Sequence, residues 1–226
     1  MINITSKREL VSSSALLMMI MLPPVWAAET HTISVEADYW RGSTQVDNIS
    51  RDSTNVPVTQ LTLRHSVDYL PNVSVRRSSV AAEAISFDKT DITLFYPLWI
   101  EQQLHLEAGA TVTRFDNSAY PLDNNQSQVG FDDWWFNGFA DASLNIPNSQ
   151  FDIFSRIDFG KSNGLKLADF IAGTQYRWPI RDGQLTAKLG YRVIDLQFTD
   201  FQADQRQAVN GSVLVNGVFV GAEYRF

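Results

Sequence analysis

Residues 218–226 read Val-Phe-Val-Gly-Ala-Glu-Tyr-Arg-Phe, so in an extended chain Val218, Val220, Ala222, Tyr224 and Phe226 share one face. Phe219, Gly221, Glu223 and Arg225 share the other. An apolar face backed by a more polar one at a period of two residues is a half-buried strand. If the apolar face meets lipid, every backbone N–H and C=O must be paired within a closed sheet, because hydrocarbon offers no partner. The segment is therefore read as the closing strand of a membrane barrel, ending on an aromatic residue.

Nine further segments alternate in the same way. The ten strands are expected at about 32–40, 56–66, 72–81, 89–96, 103–115, 134–145, 150–159, 167–178, 184–196 and 213–226. No convincing helix is found. Parity is clean in the first strand (Ile33, Val35, Ala37, Tyr39), the fifth (Leu104, Leu106, Ala108, Ala110, Val112) and the ninth (Leu185, Ala187, Leu189, Tyr191, Val193), and poorer in the second and sixth. Links 41–55, 82–88, 116–130, 160–166 and 197–212 fall at odd positions and are mostly long and polar. Links 67–71, 97–102, 146–149 and 179–183 fall at even positions and are compact. Short periplasmic turns alternating with longer outer loops are the layout of an even-stranded outer-membrane barrel. The fold expected is all-β, a ten-stranded antiparallel transmembrane β-barrel.

Aromatics gather near strand ends, with Tyr69, Tyr96, Trp99, Tyr176, Trp178, Tyr224 and Phe226 at the periplasmic level. Tyr39, Trp40, Phe115, Trp134, Trp135 and Phe159 lie at the outer level. Two such belts mark two lipid interfaces. A soluble lipocalin-type barrel also alternates, with its apolar face inward. The belts, the terminal Phe226 and the loop asymmetry favour lipid outside.

The first 27 residues read as a cleaved signal peptide. Lys7 and Arg8 form the charged region, 15–22 the apolar run, and Val25-Trp26-Ala27 the cleavage site, leaving residues 28–226 as the barrel domain. That apolar run is about half the roughly 20 residues a spanning helix needs. The chain has no Cys, hence no disulfide framework. Its net charge of -7 disfavours nucleic acid as a partner. Hydropathy averages do not decide the matter, because alternating strands hide a membrane signal from them.

Several short segments also resemble a family of Gram-negative outer-membrane β-barrel proteins of unassigned function. They are Asp68-Tyr69-Leu70-Pro71-Asn72-Val73, the strand Thr90-Asp91-Ile92-Thr93-Leu94-Phe95-Tyr96, Arg114-Phe115-Asp116 and Gly190-Tyr191-Arg192. The resemblance implies the barrel fold and the cell outer membrane as its location, and it carries no catalytic residues. The partners expected are outer-membrane lipid and lipopolysaccharide, with the barrel assembly machinery acting during insertion.

Parity directs Glu36, Asp38, Asp91, Glu107, Asp141, Asp152, Asp158 and Glu223 into the lumen with Arg64, Arg76, Arg156, Lys188, Arg192 and Arg225. In a barrel little wider than the eight-stranded kind, such charges meet. Either they cross-link into a plug or they line a narrow pore, and the inward Phe95, Phe139, Phe154 and Phe219 favour the plug. The barrel enzymes known for proteolysis or lipid modification use a His near the outer rim. Here His31, His65 and His105 all fall at the periplasmic end. His105 and Glu107 share the inward face, where a structural hydrogen bond outweighs an acid-base role. Asp132-Asp133 beside Trp134-Trp135 forms an acidic pair in an outer loop with no His near it. The polar loop 116–128 is read as solvated, with cation or lipopolysaccharide binding as the alternative. Asp47, Asp52, Asp123, Asp200 and Asp204 lack the spacing of a calcium loop. No catalytic, cofactor-binding or metal-binding residue is assigned, no cofactor is expected, and the protein is expected not to be an enzyme. A small-solute channel and an enzyme acting on lipid or protein are the alternatives.

Overall fold

The computed structural model describes residues 31–67, 69–82, 85–101, 103–122, 127–203 and 207–226. Residues 1–27, expected from the sequence to be a signal peptide, lie outside these, as do Asp68, Asp123 and Asp204. The strands are β1 (His31–Val46), β2 (Ile49–His65), β3 (Asn72–Ala81), β4 (Ser86–Ile100), β5 (Leu104–Leu122), β6 (Ser127–Val129), β7 (Trp134–Asn145), β8 (Phe151–Ser162), β9 (Leu165–Ile180), β10 (Gly183–Ala203) and β11 (Gln207–Arg225). All pairings are antiparallel and join chain neighbours, except that β5 pairs with β7 past the short β6 and β1 closes on β11 from Ser34↔Arg225 to Val46↔Val213. Ten strands thus form a closed barrel, with β6 as a short extra ribbon beside the far end of β5. Among the described residues there is no helix. We call the end carrying His31 and Phe226 the terminal end and the opposite one the hairpin end; Phe226 N donates to Ile33 O at 2.9 Å to finish the seam.

The outward positions are large and apolar. Ile33, Val35 and Tyr39 on β1, Leu61 and Leu63 on β2, Ile92, Leu94 and Tyr96 on β4, and Val218 and Val220 on β11 are all exposed. A soluble domain hides such residues, whereas here they form the exterior band of a membrane barrel.

Sequence parity reads the strand cores well but understates their length at the hairpin end. The long links 41–55 and 197–212 are mostly ladder. β1 and β2 continue to a two-residue turn at Asp47 (φ 51°) and Asn48 (φ 64°), and β10 and β11 continue past residue 200. Two positive φ values in a two-residue hairpin loop suit the right-handed twist of the flanking strands, and Asn and Asp tolerate them. Asn163 (φ 44°) and Gly164 (φ 80°) join β8 to β9 in the same way. About 9–11 tilted residues cross a bilayer core, so β1 with 16 residues and β2 with 17 extend beyond the apolar band.

Two bulges redirect side chains in these extensions. Asn117 (φ 52°) adds a residue to β5 against β4, and Asp200 (φ 50°) lies where β10 gains one against β11. Each insertion flips parity, which turns Tyr120 and Phe201 inward, where they are buried.

Candidate functional site in the barrel lumen

The lumen has three layers. At the hairpin end it is an apolar core in which Trp40, Val56, Phe87, Phe115, Leu165 and Ile194 are almost fully buried. Phe131 packs edge-on or tilted against Phe87, Phe115 and Phe198 at centroid distances of 5.3–6.0 Å. Three aromatics expected in the outer belt, Trp40, Phe115 and Trp135, belong instead to this core, because their parity is inward. Tyr39, Trp134 and Phe159 do face outward. The core also explains the poor alternation in the second and sixth segments. Where the lumen is apolar both faces of a strand are apolar, as with buried Val56 and Val58 beside exposed Leu61 and Leu63 on β2.

The hairpins above this core are latched together. The Asp47 carboxylate accepts from Tyr120 Oη at 3.1 Å and from Ser212 N at 2.8 Å, tying the β1–β2 turn to β5 and β11. Ser118 N and its hydroxyl both donate to Asp132, and Asp133 accepts from Trp134 N at 2.7 Å, so the acidic pair braces the segment before β7.

The middle layer is a buried ion cluster of three cations, Arg76, Lys89 and Arg192, with three carboxylates, Asp91, Asp158 and Asp169. None of the six is more than 5% exposed. Arg76 Nη2 alone donates to Asp91 at 3.0 Å, Asp158 at 2.8 Å and Asp169 at 3.1 Å. Lys89 donates to Asp91 and, at 3.0 Å, to Asp169; Arg192 grips Asp169 with two bonds at 3.0 and 2.8 Å. Thr111 and Thr113 complete the acceptors of Asp158 and Asp91 at 2.6 and 2.7 Å, and Arg192 lies over the Trp40 ring at 4.9 Å. Buried charge is tolerable only when paired and hydrogen-bonded, and the formal charges here cancel. Arg76 stands on β3 and Asp169 on β9, five places apart in a ring of ten strands, so this contact joins opposite walls.

Towards the terminal end the side chains are looser. A cavity of about 100 Å³ is lined by residues that include Glu36, Asp38, Arg64, Arg156, Lys188 and Glu223. Lys188 pairs with Glu36 at 2.8 Å, Arg156 with Asp141 at 3.0 Å, and Arg64 clasps Glu107 through bonds of 3.3 and 3.1 Å. Arg156 also reaches Gln60 on the opposite wall at 2.6 Å. Phe139 lies under Arg156 and Phe154 under Lys188, at 5.6 and 5.2 Å. The cavity therefore lies below the ion cluster and the aromatic core.

Every charged residue that parity directed inward is found on the lumen side. Lys89 and Asp169, both fully buried, were not among them. Strict parity reaches Lys89 two residues before Asp91, while Asp169 shares its face with Leu165, Leu167 and Ile171, which disguised that face as an apolar one. The His residues lie at the terminal end, where His31 is opposite His65 across β1 and β2. His65 contacts Pro71 O at 3.1 Å and accepts from Val67 N. His105 and Glu107 form no hydrogen bond; Glu107 is held by Arg64.

No protein-family model matches the chain, and no curated protein matches it in sequence. Among solved structures it is similar to Neisserial surface protein A, at 12% identity and a TM-score of 0.40, covering 86% of this chain and 97% of that one. It is similar to the outer membrane protease OmpT from Escherichia coli at 6% identity and a TM-score of 0.45, over 87% and 96% of the two chains. The translocator domain of the autotransporter NalP from Neisseria meningitidis shares 12% identity at a TM-score of 0.39, over 87% and 88%. The closed ten-stranded antiparallel ring with its exposed apolar exterior is itself the architecture of a transmembrane β-barrel.

Proposed function

We propose that this is a non-enzymatic integral protein of the cell outer membrane, with its lumen closed and its hairpin end outside the cell. On this reading the signal peptide exports the chain, the barrel assembly machinery inserts it, and outer-membrane lipid and lipopolysaccharide surround it. The role is structural, or lies in binding by the hairpin cap.

The observation that carries the closed lumen is the Arg76 guanidinium. One nitrogen touches Asp91 on β4, Asp158 on β8 and Asp169 on β9, within 3.1 Å of each. A ten-stranded barrel spanned by such contacts, and filled above them by Trp40, Phe87 and Phe115, has no free cross-section for a solute. The outward apolar band supports the membrane location. The placement of the His residues at the terminal end, with Glu107 engaged by Arg64, counts against a His-centred hydrolase at the outer rim.

Planar-bilayer recording on the purified, refolded protein tests this. The expected trace shows no stable steps above the bare bilayer. A reproducible unitary conductance that loses its ion selectivity in an Arg192→Gln variant would replace this reading with the channel one.

A further inference from the structure

Near the hairpin end the exterior of β7, β8 and β9 carries an aromatic surface with two lysines set into it. Phe136 is 72% exposed, and Trp134, Phe159 and Phe170 also face outward. Phe159 lies across Gly138, the paired position on β7, whose missing side chain leaves room for the ring. Above Phe159, Lys161 and Lys166 are paired directly across β8 and β9, both exposed and both outward.

Like charges at directly opposed positions have Cβ atoms about 4.5–5.5 Å apart and destabilise a strand pair. Two other outward cations at this end, Arg114 and Arg77, have a carboxylate close by, Asp116 at 2.9 Å and Asp88 at 4.0 Å, and a third, the exposed Arg41, faces no second cation across its strand pair, being opposite Asn55 and Val218. Among the described residues, no carboxylate lies within 4.0 Å of Lys161 or Lys166. A solvated hairpin end would account for either lysine singly. It does not account for the doubled, unneutralised charge set beside the exposed rings of Phe159 and Phe170.

We propose that this face binds a phosphorylated lipopolysaccharide headgroup, with phosphate between Lys161 and Lys166 and acyl chains along Phe159 and Phe170. A phosphate monoester carries close to two negative charges and three acceptor oxygens, which matches two ammonium groups. The flexible lysine stems reach over the apolar surface to hold it. This rests on the outer-membrane reading above and adds to it a specific lipid and a specific face.

The test is native mass spectrometry of the refolded full chain released from mild detergent, offered lipid A, dephosphorylated lipid A, phosphatidylethanolamine or inorganic phosphate. Wild type is expected to retain lipid A, and the Lys161→Gln/Lys166→Gln variant to retain at least tenfold less. Dephosphorylated lipid A on wild type should match the variant, and Arg41→Gln should match wild type. Equal retention by the double variant, or of the dephosphorylated lipid, overturns the proposal, as does capture of inorganic phosphate with no preference for the lipid. Heat-modifiable gel mobility confirms that each variant is folded. A chain that instead folds and stays dissolved in buffer without amphiphile overturns the outer-membrane reading itself, which separates the two failures.

Discussion

Replacing Asp169 with Asn keeps the size of the side chain and removes one charge from the centre of the lumen. Asp169 accepts two bonds from Arg192, one from Arg76 and one from Lys89, all between 2.8 and 3.1 Å. The variant leaves Arg76, Lys89 and Arg192 facing only Asp91 and Asp158, with none of these more than 5% exposed. Breaking a buried ion pair from one side costs about 3–5 kcal/mol, because the stranded charge has no solvent. Asp88→Asn makes the contrast, since its partner Arg77 is 69% exposed and an exposed pair contributes about 0–1 kcal/mol. Adding Arg192→Met to Asp169→Asn restores two cations against two carboxylates, and recovery to within about 1–2 kcal/mol of wild type is expected from the near-neutral cost of removing whole pairs. Tryptophan-fluorescence unfolding in guanidinium, from vesicles, reads these proteins together with the Arg192→Met single variant, and the double-mutant cycle of Asp169→Asn with Arg192→Met extracts the coupling. An Asp169→Asn protein within about 1 kcal/mol of wild type would refute the claim that this cluster ties the walls together. So would a double variant whose loss equals the sum of the two single losses.

Two further predictions concern the wall and the cap. A Cβ on Gly109 would fall 2.0 Å from Leu94 O, whereas one on Gly130 meets nothing closer than 3.4 Å; Gly109→Ala should therefore lose the heat-modifiable folded band that Gly130→Ala keeps. Asp47→Ala removes the acceptor for Tyr120 and Ser212 from a residue at φ 51°, at a local cost of about 1–3 kcal/mol. Proteolysis of the hairpin end on intact vesicles should accelerate in that variant while the membrane-embedded fragment stays protected, and unchanged cleavage would show the latch to be idle.

The barrel was legible because its exterior obeys one rule wherever a strand crosses the apolar band. Lipid fixes the outward residue as apolar, so Val218, Val220 and Tyr224 announce the sheet however the inward positions vary. The lumen imposes no single rule. It is charged at Glu36 and Lys188, ionic but dry at Asp169, and aromatic at Trp40 and Phe115, and one-dimensional pattern does not separate an aromatic belt from an aromatic core. The hairpin extensions were missed for a related reason. Ser43, Thr44, Ser53 and Thr54 lie beyond the apolar band, where both faces of a strand are allowed to be polar, so the ladder leaves no hydrophobic period. The bulges at Asn117 and Asp200 shift parity midway and break what pattern remained.

The central claim is that the outward face of each strand meets lipid while the inward face, at the ion cluster and in the core above it, is sealed from water as well as from lipid. Nitroxide labels placed singly along 213–220 test this on β11, since the chain has no Cys to mask. Val218 and Val220 are 57% and 54% exposed, whereas Val213, Val215 and Phe219 are at most 4% exposed. In reconstituted vesicles, collision with lipid-soluble oxygen should be high at 218 and 220, and labels at 213, 215 and 219 should collide with neither oxygen nor a water-soluble nickel complex. High nickel collision at the odd positions would reveal an open aqueous lumen, and nickel rather than oxygen collision at 218 and 220 would remove the barrel from the membrane altogether.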